Sequence, residues 1–309
     1  MTSIPAPRVA AGRTASGYWG RRLGSLPTHL VVGFLMFVWL IPTIGLFISS
    51  FRPSQAVQSS GWWTILFQPS QVTLQNYAYV LAQSGIWSGF INSLFITIPA
   101  TIIPIFVAAF AAYAFAWMSF PGRNILFVAI VGLLVVPLQT TFIPILELYA
   151  SIRVNFGPIQ IPNGLNGQFL AVWLAHTGYG LPFAVYLLRN YMGGLPREVF
   201  ESASIDGAGP VTAFFRLALP MSVPVIAALA IFQFLFVWND LLVALIYIGF
   251  ANPQNAPLTI AVANLVGNFG NGWWYLAAAA FISMVLPLTV FFALQRYFVR
   301  GIVGGSVKG

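Results

Sequence analysis

ESASIDGAGPVTAFFRLALP, residues 201–220, is a short acidic interruption between two long apolar runs. The chain holds five acids, Glu147, Glu198, Glu201, Asp206 and Asp240, so three of the five fall between 198 and 206. Such an island needs a reason, because everything around it is built for a different solvent. At 59% hydrophobic and 6% charged residues, with mean hydropathy +0.87, 309 residues cannot cover a water-facing surface with polar side chains. No charged side chain lies between Arg52 and Arg123, or between Asp240 and Arg296, and only a low-dielectric solvent makes such gaps ordinary.

A spanning helix needs about 20 mostly apolar residues. Six stretches qualify, at 27–50, 88–118, 125–150, 167–189, 223–248 and 274–297, which makes the fold an all-α membrane protein. The first run follows Arg21 and Arg22 as a signal peptide would, but its length and the lack of a small-x-small exit read as an uncleaved span. Pro42, Pro99, Pro104, Pro137, Pro144, Pro182 and Pro287 fall inside the spans. Such breaks are tolerated where neighbouring helices or cavity water satisfy the freed carbonyls, so they favour a bundle with a pathway over an anchor.

With the N-terminus inside, the inner segments hold Arg8, Arg13, Arg21, Arg22, Arg123, Arg189, Arg197, Arg216, Arg296, Arg300 and Lys308, leaving only Arg52 and Arg153 outside. That asymmetry puts both termini and residues 201–220 in the cytoplasm. It also gives the +8 formal charge a membrane explanation, so no nucleic-acid partner is expected. Trp62, Trp63, Trp273 and Trp274 then lie where an outer aromatic belt would be.

Several chemistries are excluded. A P-loop needs a lysine beside its glycines, and the single lysine is Lys308. The two histidines, His29 and His176, are far apart and match no zinc motif, while the absence of cysteine removes thiolates and disulfides. His176 reads as a hydrogen-bonded packing residue. No paired acids stand in a span at acid–base spacing, so catalysis within the chain is not expected.

Within the island, Pro196 suits a first helical turn, with Glu198 and Glu201 near the positive end of the dipole. Val199, Phe200, Ala203 and Ile205 supply an apolar side, Gly207 a C-terminal break, and Gly209-Pro210 the start of a second short helix through about Leu219. The acids disfavour an anionic lipid surface, so the element is expected to dock on protein.

The island resembles the E-A-A signature of integral membrane subunits of ABC importers. Glu201, Ser202 and Ala203 are followed after three residues by Gly207, then after nine by Leu217-Ala218-Leu219-Pro220. Ser202 stands for the first alanine and Leu217 for isoleucine, and Asp206-Gly207-Ala208 matches a variant common in sugar importers. NSLFITIPAT, AAYAFAWMSFPGR, GLPFAVYLLRNYM, VWNDLLVAL and ALQRYFVRGIVGGSVKG extend the likeness over nearly the whole chain, to the second permease of maltose or α-glucoside systems.

The resemblance implies a type I importer permease fold: a cytoplasmic segment 1–26, a six-span domain 27–297 with a coupling loop at about 191–222, and a cytoplasmic tail 298–309. It implies that Glu201, Ala203, Asp206, Gly207, Ala208, Arg216, Leu219 and Pro220 couple to an ATP-binding subunit dimer. Its other implied partners are a second, different permease chain and an extracytoplasmic sugar-binding protein, with ATP and Mg held by the ATPase subunits and no cofactor on this chain. Maltose, trehalose and glucosylglycerol-like α-glucosides fit as solutes.

Gln233, Trp238, Asn239 and Asp240 are candidates for the solute pathway, since an intramembrane acid beside an aromatic and amides suits a sugar. A polar contact between helices is the alternative for the same residues. An ion-gradient-driven secondary transporter is the other function class considered, although no internal repeat is evident. A structural scaffold ranks behind it because of the many span breaks.

Overall fold

The computed structural model describes residues 15–156, 159–161, 164–249, 251–265 and 272–303. Helix α1 (Ala15–Ser50) is followed by α2 (Ser54–Ser59), a 3-10 turn at Trp62–Leu66, and α3 (Gln75–Ala82), which leads into α4 (Ser84–Trp117). Next come α5 (Arg123–Gly132), α6 (Phe142–Ser151), an antiparallel pair β1 (Val154–Phe156) and β2 (Ile159–Ile161), and α7 (Phe169–Met192). The order continues with α8 (Arg197–Ile205), α9 (Pro210–Ala213), α10 (Leu219–Met221), α11 (Val223–Trp238), α12 (Leu242–Ala244), α13 (Leu258–Ala263) and α14 (Trp273–Val303).

Four helices are long and apolar enough to cross a bilayer alone: Pro27–Ser50, Gly85–Trp117, Phe169–Met192 and Trp273–Gln295. The number is up to six if each of two bent pairs is counted as one span, Arg123–Val135 with Leu138–Ser151 and Pro210–Met221 with Val223–Trp238. The third stretch, 125–150, is a broken helix. Its halves meet at 97°, because Pro137 has no N–H to continue the ladder and holds Val136 extended at ψ 117°.

The fifth stretch also differs from the continuous 223–248 span expected. Helix α11 stops at Trp238, where the Asn239 side chain donates to the Leu235 carbonyl at 2.8 Å. The chain turns helical again at Leu242, with the Asp240 carboxylate accepting from the amides of Val243 at 3.4 Å and Ala244 at 3.0 Å. That is a helix cap formed at membrane depth. Gln233 and Asp240 lie seven residues apart, two helical turns, but because α11 ends between them they do not share one helix face.

Helices α4 and α7 form the centre of the bundle. Ala108, Ala109 and Ala112 meet Ala184, Val185 and Leu188, and such small residues let two backbones approach closely where lipid offers no hydrophobic drive.

Three of the prolines in the spans have specific partners. A proline removes the N–H that would bond the carbonyl four residues earlier. Pro99 so frees the Phe95 carbonyl, which accepts from Trp173 Nε1 of α7 at 2.8 Å. Pro104 frees Ala100, which accepts from Gln233 Nε2 of α11 at 3.2 Å. Pro287 frees Ser283, which accepts from Trp238 Nε1 at 3.1 Å. In hydrocarbon an unpaired carbonyl is costly, so each broken helical bond becomes a socket that joins two helices.

Residues 1–14 and 304–309 lie outside the described residues, and with them most of the basic tail. The six residues 298–303 that begin the expected tail continue α14 instead.

Candidate functional site

Helix α8 begins after Pro196, at φ −59° and ψ 121°, with Glu198 in its first turn. Nine residues do not hold a helix in water unaided, and the tertiary anchor is Phe200. Its ring stacks on Trp117, the last residue of α4, at 3.8 Å between centroids and 21° between planes. Trp117 is itself fixed by donation from Nε1 to the Met192 carbonyl at 3.0 Å, at the end of α7. One aromatic pair thus ties α8 to the adjoining ends of two spans.

The helix closes with a complete left-handed cap. Gly207 sits at φ 83°; its N–H donates to the Ser204 carbonyl at 3.1 Å, and the Ala208 N–H reaches back to Ala203 at 2.9 Å. These paired bonds are the Schellman arrangement, which needs a residue without a Cβ penalty at the left-handed position. A Cβ added to Gly207 would meet nothing within 4 Å, so conformation rather than space selects glycine.

From Pro210 the chain runs helically to Met221, with a π-helical turn over Phe214–Ala218. Phe214 is buried against Phe110 at 4.6 Å and Tyr113 at 5.3 Å, which fixes this segment to α4. At Ser222 it joins α11 at 70°, with Pro220 and Pro224 on either side. Motion imposed on residues 197–221 therefore passes both to α4, through Phe200 and Phe214, and to α11 through the elbow.

The outward side is chemically bare. Glu201, Asp206, Gly207, Arg216 and Pro220 are exposed, with Ala203, Ala208 and Leu219 half-buried. Ile205 is 87% and Val211 71% exposed, far more apolar surface than a water-facing lever would keep uncovered. Among the described residues none of Glu198, Glu201, Asp206 or Arg216 has an ion pair. A cleft lined by Trp117, Arg123, Arg197 and Glu201 lies alongside. The aromatic anchor and Arg123 escaped sequence reading, although Trp117 at a span end and Phe200 within an acidic helix were the available signals.

Gln233 and Trp238, two of the four pathway candidates, are buried and committed to the Ala100 and Ser283 carbonyls. Trp238 also stacks on Phe234 at 5.8 Å. Asn239 is exposed, and Asp240 lies beside it at the helix break with its carboxylate 3.7 Å from His176 Nε2. His176 is fully buried, yet neither ring nitrogen has a hydrogen-bond partner. It packs edge-on to Phe236 at 6.0 Å, so the expectation of a hydrogen-bonded histidine is corrected.

Residues 105–304 match the family described as binding-protein-dependent transport system inner membrane component. The chain is 55% identical over 286 residues to the osmoprotective compounds uptake permease protein GgtD of Synechocystis sp., covering 92% of each chain. It is 54% identical over 241 residues to the alpha-glucoside transport system permease protein AglG of Rhizobium meliloti, covering 78% of this chain and 62% of that protein. In fold it is similar to a chain of the crystal structure of a bacterial ABC transporter involved in the import of alginate, with TM-score 0.72 at 16% identity over 94% of this chain and all of the other. The chain is thus a multi-pass membrane protein that belongs to the binding-protein-dependent transport system inner membrane component family.

Proposed function

We propose that this chain is the permease subunit of an ATP-driven importer of α-glucoside-type solutes, and that residues 197–221 couple its spans to the ATPase. The observation that carries the coupling role is the two-sidedness of α8. Phe200 is locked inward on Trp117, while Glu201, Asp206 and Ile205 are exposed and neither acid has an ion pair among the described residues. That is the geometry of a rigid lever awaiting a groove. Exposed acids supply the charge that basic groups of such a groove would meet. The solute class rests on relatives named for osmoprotective compounds, alpha-glucosides and trehalose. Membership of a binding-protein-dependent family leaves no support for the ion-gradient alternative.

The partners are a second, different permease chain, an ATPase dimer that carries ATP and Mg, and an extracytoplasmic solute-binding protein. The basic-residue asymmetry orients both termini and the coupling loop to the cytoplasm. Asn239 and Asp240, at the break in the fifth span, are the pathway residues we retain. Gln233 and Trp238 hold helices together there.

The test is ATP hydrolysis by the purified complex against a panel of α-glucosides, with and without the binding protein. Stimulation by one solute only when the binding protein is present supports the function and identifies its substrate. ATPase activity indifferent to every α-glucoside, with uptake intact for another solute class, overturns the solute assignment.

A further inference from the structure

Arg52 follows the end of α1 and is fully buried, with no ion pair among the described residues. Its guanidinium is satisfied by neutral groups of the segment that follows. Nη2 donates to the Ala56 carbonyl at 2.9 Å, Ser60 Oγ at 2.6 Å and Thr64 Oγ1 at 2.9 Å. Nη1 donates to the Ser60 carbonyl at 3.2 Å, and Nε to Gln71 Oε1 at 3.3 Å. The Asn76 amide closes the base of this collar by donating to the carbonyls of Ser50 and Arg52 at 2.9 and 2.8 Å. An arginine with donors spread over twenty residues of loop organises that loop as a hub.

The collar does not rise away from α1; it folds back along it. The Trp62 indole lies so close to Gly45 that an added Cβ would meet Nε1 at 2.7 Å. Gly45 is five residues before the helix end, roughly 7 Å down the axis at the helical rise. The outward side of the returning turn carries Trp63, Leu66 and Phe67, which are 57%, 70% and 82% exposed. No charge occurs from residue 53 to 122, and the one cation at the edge is hidden inside.

We propose that this Arg52-centred collar, residues 52–74, is an interfacial anchor that seats Trp63, Leu66 and Phe67 in lipid of the leaflet opposite the coupling loop. Lipid is favoured over water because the patch is continuous with the apolar wall of α1, only 6% of whose spanning window is buried in this chain. The patch also lies beside the end of a spanning helix, where tryptophan prefers the water boundary, and it is uncharged. Arg52 lets the polar backbone of an irregular segment enter that region, since its donors satisfy carbonyls that lipid could not. The anchor fixes the outer end of α1, a span otherwise in contact mainly with α14 and this collar.

The sequence contains no cysteine, so single nitroxide labels placed by Phe67→Cys, Leu66→Cys and Ser59→Cys read depth directly. The labelled full-length chain is assembled with its partner subunits in lipid nanodiscs, and collision rates with oxygen and with a water-soluble nickel chelate are compared. Labels at 66 and 67 are expected to meet oxygen more often than nickel, and the label at the exposed Ser59 to show the reverse. Adding Arg52→Gln should move the label at 67 toward the nickel-accessible pattern. Nickel preference at 66 and 67 with Arg52 intact would overturn the proposal in favour of a water-facing loop, and shielding from both reagents would overturn it in favour of a protein partner. Because 66 and 67 are read with native Arg52, the decision stands even if Arg52→Gln fails to fold.

Discussion

The indole N–H of Trp238 donates at 3.1 Å to the carbonyl of Ser283, which Pro287 leaves without a helical donor. The same relation joins Gln233 to Ala100 across the gap left by Pro104, and Trp173 to Phe95 across that left by Pro99. If the proline creates the need that the side chain meets, the two substitutions must be coupled. Trp238→Phe keeps an aromatic ring but leaves a half-buried carbonyl unpaired, at a cost of up to about 1–3 kcal/mol. Pro287→Ala in that background restores the helical bond and should recover most of the loss. Thermal unfolding of the four chains in one double-mutant cycle measures this, and strict additivity would show that the proline and the indole act independently.

Phe200→Ala removes the ring that holds α8 to Trp117. Truncating a buried phenylalanine costs about 3–5 kcal/mol, more than so short a helix holds in reserve. The chain should still insert, with its spans unchanged, while limited proteolysis opens between 193 and 209 and solute-stimulated ATP hydrolysis falls to the basal rate. Proteolysis and stimulation both like wild type would show that the stack is dispensable.

Gly207 tests conformation against space. Since a Cβ there meets nothing within 4 Å, Gly207→Asn should retain most uptake, asparagine being tolerated in the left-handed region. Gly207→Val should abolish it, because a β-branched residue is a strong outlier at φ 83°. Equal loss in both variants would mean that a partner surface, rather than the cap, requires glycine.

The sequence made the bilayer class legible because charge is absent from whole spans, and it made the short helices at 197–221 legible because their acids, prolines and glycines stand out from the apolar runs on either side. It did not reveal where the spans break. Pro137 looks like any other proline in an apolar run, yet the bend there is 97°, whereas α4 continues through Pro99 and Pro104. Trp238-Asn239-Asp240 reads as a polar cluster suited to a sugar, but the direction of each side chain depends on a helix end that the apolar pattern does not mark. Trp238 turns to Ser283, Asn239 to its own helix end, and Asp240 to the amides beyond the break. Gln233 was equally ambiguous until Pro104, on another helix, supplied the acceptor.

The Asp240 cap makes a graded series. Asp240→Asn keeps one oxygen for the Ala244 amide at the cost of the acceptor that Val243 meets, and should lose less thermal stability than Asp240→Ala, since asparagine is itself a good helix cap. Asp240→Ala loses the cap, which costs about 1 kcal/mol at a typical helix start. If Asp240→Asn preserves stability but impairs uptake, the charge serves the pathway; if Asp240→Ala is as stable as wild type, the capping role is wrong.

Docking of residues 197–221 on the ATPase is tested most directly at Ile205, the apolar tip that is 87% exposed in the isolated chain. Ile205→Cys supplies the sole thiol of the chain, and a thiol-attached photoreactive reagent needs no cysteine on the partner. In the assembled complex, illumination is expected to give one product, a covalent adduct with the ATPase subunit, whose yield changes when ATP is added. A cysteine at 205 that stays open to a bulky water-soluble maleimide in the full complex, and yields no ATPase adduct with or without ATP, would contradict the coupling assignment.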